Sequence, residues 1–157
     1  MIRRLEGKTK TMYFEGDTAR EVRAGGLVGL TDSGTVVPLR NDSTDKPVGV
    51  AKRNDTITDS AMVPIEVPVE EWVEWEFETD SDAGLADSDI GTSIAVDTTG
   101  GGSVLAGDSA GTRLDVSDVT FPLVLVTRRI SASRGVGVLV KRVSTLIPDT
   151  GTITNGF

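Results

Sequence analysis

Short apolar runs recur along this chain, separated by Gly, Asp, Asn or Pro, and no segment sustains helical periodicity over several turns. That pattern predicts an all-β fold, a sandwich or barrel, because each strand must turn back after a few residues. The most regular run is Trp72-Val73-Glu74-Trp75-Glu76-Phe77-Glu78, in which Val73, Trp75 and Phe77 alternate with glutamates. Successive side chains leave a strand on opposite faces, so the run predicts a half-buried strand with one apolar and one acidic face. Trp72 and Trp75 then point in opposite directions. Trp75 is expected in the core with Val73 and Phe77, and Trp72 on the outside. An outward Trp anchors an interface, stacks on a sugar, or packs under a loop. Trp72, Trp75 and Phe77 are the candidates for contacts between copies of the chain.

A turn followed by a short strand is expected within 20–30, and further strands at 35–39, 46–51, 62–69, 93–97, 121–126 and 136–143, with a tight turn at 31–34 built on Asp32 and Gly34. Pro64 and Pro68 donate no ladder bonds, which predicts an edge strand at 62–69, or one paired on a single side. Residues 79–91 read as a loop with room for one helical turn, and 98–112 as a Gly/Ser/Thr-rich tip. The expected organisation is an N-terminal arm at 1–19, a β domain at 20–143 and a C-terminal tail at 144–157.

Composition narrows the chemistry. The 157 residues include no Cys and no His. Disulfides, thiolate sites and the commonest general base are therefore excluded. No run approaches the roughly 18 apolar residues that span a bilayer, and the N-terminus has no apolar stretch after its charges, as a secretory signal would. No membrane partner is expected. The net charge of −8 is unevenly spread: 1–53 carries ten basic and seven acidic residues, 54–112 carries fourteen acidic and no basic ones, and 113–157 carries six basic and three acidic. An acidic middle between mildly basic ends argues against nucleic-acid binding, which needs a concentrated basic face. It suits a protein whose ends and middle meet different surfaces, and equally a surface that is acidic for solubility.

Carboxylates are the only plentiful catalytic type. Glu70, Glu71, Glu74, Glu76 and Glu78 fall along one strand and its lead-in, lined up where a glycosidase needs opposed acids. Asp80-Ser81-Asp82 and Asp87-Ser88-Asp89 resemble fragments of calcium loops without the full pattern, and Asp/Ser turns explain them better. Gly100-Gly101-Gly102-Ser103 lacks the lysine and the strand–helix frame of a phosphate loop. Arg128-Arg129 and Lys141-Arg142 are expected at strand ends, where charge discourages edge pairing. No catalytic constellation emerges, and neither cofactor nor metal is expected.

Gly-Gly-Leu-Val-Gly-Leu-Thr-Asp-Ser-Gly-Thr-Val-Val-Pro from residue 25, followed by Asp-Lys-Pro-Val-Gly-Val-Ala to residue 51, resembles the decoration (cement, head-stabilising) proteins of phage capsids. The stretches 67–75, 86–91, 94–97 and 136–140 are similar to such proteins as well. The resemblance implies a small β-barrel or β-tulip domain with extended N- and C-terminal arms, non-catalytic and commonly trimeric. It would sit on the outer surface of the virion, with the major capsid protein as partner, after synthesis in the host cytoplasm. The expected capsid-facing element is the N-terminal arm, with Arg3, Arg4, Lys8, Lys10, Tyr13 and Phe14. Two other readings stay open: a tail, baseplate or fibre-associated structural protein, and a carbohydrate-binding module using Trp72 and Tyr13.

Overall fold

The computed structural model describes residues 2–16, 21–39, 46–54, 62–70, 72–79, 84–96, 113–117 and 123–139, without the side chains of Lys46 and Val96. Expectations for residues 80–82, 100–103 and 141–157 lie outside them. The chain is all-β. Its strands are β1 (Arg3–Glu6), β2 (Thr9–Glu15), β3 (Leu27–Leu30), β4 (Val36–Pro38), β5 (Lys46–Ala51), β6 (Met62–Pro68), β7 (Glu74–Thr79), β8 (Ser93–Val96), β9 (Arg113–Asp115), β10 (Val124–Ser131) and β11 (Arg134–Leu139). A 3-10 turn occupies Asp87–Asp89, within the segment expected to hold one.

Two sheets share the strands. In the first, β7, β11, β10, β8 and β9 close into a five-stranded barrel, because β7 pairs with β11 on one side and with β9 on the other. Closure removes the free edges of those strands. The same side of β7 also carries β1, antiparallel, along its first half. The second sheet runs β2-β6-β5-β3-β4 and is antiparallel throughout. An isolated parallel bridge from Gly16 to Val36 draws its two outer strands together at one end.

Each sheet has its own core. Trp75 and Phe77 of β7 join Ile94, Leu114, Val124 and Val126 in the first, capped by Leu27, Leu39 and Val50 from the second sheet. Val28, Val36, Val48, Ala51, Val63, Ile65 and Val67 make the second, with Met12, Phe14 and Leu30 half-buried at its border. A β-bulge lets β5 serve both cores. The register of β3 against β5 slips between Val28 and Gly29, leaving Val48 as the extra residue. The slip turns Val48 and Ala51 toward the second core and leaves Val50 facing the first.

Residues 3–15, expected as an arm that orders on a neighbour, are extended, but their partner is the chain itself. β1 lies on β7 and β2 on β6, so β1–β2 and β6–β7 form one long ribbon crossing both sheets. At the crossing Gly7 has φ of 97°, and a Cβ there would meet the Trp72 carbonyl oxygen at 2.8 Å. Only glycine fits that turn. The Glu70 carboxylate accepts the Lys8 backbone N–H at 2.6 Å and fixes the ribbon beside it. Ile2 is buried and donates its N–H to Gly25. The domain thus begins near residue 2, not 20.

The strand at 62–69 is also more than an edge. β6 lies between β2 and β5, yet its ladder with β5 is short, Val50↔Glu66 and Ala51↔Ile65. Pro64 offers its carbonyl to Lys52 N–H at 2.9 Å on that side. Pro64 and Pro68 therefore direct their missing N–H positions toward β5, one at each end of the short ladder, and leave the β2 ladder whole. Arg128 and Arg129, expected at a strand end, lie inside β10, which continues to Ser131 and turns tightly into β11.

Candidate interaction surface

The acidic face of β7 is where catalysis was most plausible from sequence, and its carboxylates prove to be structural. Glu76 is buried, and a pair of arginines holds it. Arg3 Nε and NH2 donate to Glu76 Oε2 at 3.1 and 2.6 Å, and Arg134 NH2 is paired with Oε1. One arginine comes from β1 and the other from β11, the two strands that flank β7. Both reach solvent with their outer faces, so the charges are only partly desolvated. Glu66 on β6 is held similarly, by Arg4 Nε at 2.7 Å and Thr9 Oγ1 at 2.7 Å. Glu74 lies 3.5 Å from Trp72 Nε1. Asp89 Oδ2 accepts the Ala86 N–H at 2.7 Å and Asp87 faces Arg129, so this Asp-Ser-Asp fragment makes a self-bonded turn. Among the described residues no group of three or more Asp or Glu side chains is placed to hold a metal ion. None of their helices is long and apolar enough to cross a membrane.

The candidate contact residues separate into inner and outer ones. Arg3 and Arg4 are committed to Glu76 and Glu66, and Phe14 borders the second core. Lys8, Lys10 and Tyr13 remain outward, with Tyr13 62% exposed. Of the aromatics expected between copies, Trp75 and Phe77 are each only 1% exposed, sealed in the barrel by their own strand's alternation. They are core residues, which corrects that expectation. Trp75 Nε1 finds no hydrogen-bond partner among the described residues. Trp72 alone faces out, at 48%.

Of the other exposed large apolar side chains, Leu5, Met62 and Val69 belong to the ribbon, whereas Ile90 lies beside the 3-10 turn and Ile130 on β10. Leu5 and Val69 flank the crossing beside Trp72, and Met62 lies opposite the end of β2. Leu5 is exposed because β1 bulges there: Arg4 pairs with Trp75 and Glu6 with Glu74, leaving Leu5 as the extra residue. An apolar side chain between charged neighbours in an expected arm carried no signal of that outward turn. Comparison of the chain with protein-family models, with curated proteins and with solved structures gives no match.

Proposed function

We propose that this protein is a non-catalytic capsid decoration protein, which binds the outer surface of a phage's major capsid protein lattice and stabilises the head. The observation that carries this reading is the ribbon. Along it lie Leu5, Tyr13, Met62, Val69 and Trp72, exposed large apolar side chains, with Tyr13 on one face of β2 and the exposed Lys8 and Lys10 on the other. Apolar anchors ringed by charge are the usual composition of a protein-binding surface. The carboxylates of β6 and β7 do not compete with this reading, since Glu66 and Glu76 are tied up in ion pairs. Lys8, Lys10 and Tyr13 make the capsid contact, and Trp72 is the remaining candidate for a contact between copies in a homotrimer. Clustering three copies multiplies weak lattice contacts through effective concentration.

Sedimentation of undecorated capsids mixed with the purified protein tests this. Saturable co-sedimentation at a symmetry-related stoichiometry, weakened by Lys8→Glu/Lys10→Glu, is expected. Protein left in the supernatant at every concentration refutes it.

A further inference from the structure

The second sheet ends on β2, and this strand is paired on one side only among the described residues. Which backbone groups it leaves free follows from the register. The Val69 N–H donates to the Lys8 carbonyl at 3.1 Å, while the Pro64 carbonyl turns the other way, to Lys52. In an antiparallel ladder the bonded pairs alternate. Lys8, Lys10, Met12 and Phe14 therefore direct their backbone groups into β6, and Thr9, Thr11 and Tyr13 direct theirs outward. Beyond them the bridge from Gly16 to Val36 closes the edge.

Of the usual protections this edge has only charge, in Lys10 and Glu15. It has seven residues, no proline, and unbroken register with β6 from Thr9↔Pro68 to Glu15↔Met62. A long, regular, unblocked edge accepts an added strand. Its side chains say what kind. The row facing the core side runs Lys8, Lys10, Met12, Phe14: two exposed cations, then two apolar side chains that the core leaves half-buried. Neither lysine makes an ion pair among the described residues, and Glu66 and Glu70, the nearest acids on β6 and its exit, are engaged by Arg4 and by the Lys8 N–H. Lys52, just past β5, is a further cation on the other face of the sheet, with its Nζ 3.3 Å from Thr11 Oγ1.

We infer that the free edge of β2 captures an extended acidic segment of another protein as an antiparallel sixth strand. The segment places apolar residues beside Phe14 and Met12 and carboxylates beside Lys10 and Lys8. Main-chain bonds to Thr9, Thr11 and Tyr13 supply the attachment, and the side chains set direction and register. The inference does not depend on the assembly in which the protein works.

The probe is a terminally blocked peptide, Val-Thr-Val-Thr-Glu-Thr-Glu, titrated into the full chain and followed by residue-resolved amide exchange. Slowed exchange is expected at Thr9, Thr11 and Tyr13, with Lys10, Met12 and Phe14 already protected and unchanged. Two control peptides are expected to bind about tenfold more weakly or worse, one with lysines for the glutamates and one with prolines for the threonines. Thr11→Pro removes an outward N–H without touching the β6 ladder, so the fold is kept and binding falls. Lys8→Glu/Lys10→Glu reverses the preference between the glutamate and lysine peptides. Equal binding of all three peptides, or protection away from the edge, overturns the inference. So does protection of the same amides by self-association as protein concentration rises, which would make a second copy the occupant.

Discussion

Replacing the two arginines on Glu76, singly and together, tests whether that carboxylate is held as a unit. Arg3→Met and Arg134→Met keep the apolar stem of each side chain and delete its charge. Glu76 retains one guanidinium in either single variant, and each arginine is 61% or 45% exposed, so solvent screens what is lost. Each single change should cost about 1 kcal/mol, near the upper end for a partly exposed pair. The double variant is different, because it leaves a carboxylate with 8% of its surface exposed and no cation beside it. Stranding a buried charge costs roughly 3–5 kcal/mol. The expected coupling between the two sites is therefore about 1–3 kcal/mol, the range for residues that share one partner. Urea unfolding is the right assay, since guanidinium would itself screen the charges. Glu76→Gln added to the double variant should recover most of the loss by removing the stranded charge. Additive single effects, or no recovery with Gln, would refute the claim that Glu76 is buried and jointly held.

Other substitutions probe the cores and the crossing. Phe77→Ala should cost about 3–5 kcal/mol in urea unfolding, the penalty for a cavity left by a buried aromatic; a loss below 1 kcal/mol would mean the barrel interior collapses freely. Gly137→Ala pushes a Cβ into Val124 Cγ1 and to 2.6 Å from the Leu125 carbonyl oxygen, so about 1–3 kcal/mol of overpacking or more is expected. Gly34→Ala, at φ of 83° with nothing within 4 Å, should cost only about 1 kcal/mol of backbone strain, measured in the same way. Trp72→Ala should leave the urea midpoint within about 0.5 kcal/mol of the parent and reduce self-association seen by light scattering; unchanged association would remove Trp72 from the contact between copies.

The strands that sequence revealed are those whose pattern is local. β5 matches its expected span residue for residue, and β6 and β7 lie within two residues of theirs, because apolar runs and alternation are properties of the strand itself. β1 and β2 escaped for the opposite reason. Arg3, Arg4, Leu5 and Glu6 are all exposed, and β1 is a strand because β7 supplies the partner. β9 has three residues and pairs with β7 in parallel, so only Leu114 marks it as core. The same distinction governs the surface. That Trp72 turns outward follows from its spacing to Trp75, whereas the exposure of Leu5 depends on a bulge that exists only in the pairing of two strands.

The charge asymmetry along the chain has a different meaning once the strands are paired. Basic ends and an acidic middle suggest separate surfaces for separate partners, but Arg3 and Arg134, from the two basic segments, meet on Glu76 of the acidic one. Arg4 meets Glu66 in the same manner. Much of the opposition between segments is thus resolved inside the fold, where it sets β1 and β11 on either side of β7. What remains for partners is smaller and better defined. Lys8 and Lys10 follow soon after the arginines, yet they lie past the Gly7 turn, just before and within a strand that has no neighbour on its far side among the described residues. A charge four residues along the chain from a structural one is free to recruit because a single glycine carries the strand from one sheet to the other. Replacing Gly7 with Ala should therefore weaken both functions of the ribbon, lowering stability through the contact with the Trp72 carbonyl and displacing the edge that presents Lys8 and Lys10. Loss of urea stability with peptide binding at the β2 edge intact would show that the two are separable, and that the turn does not set the edge.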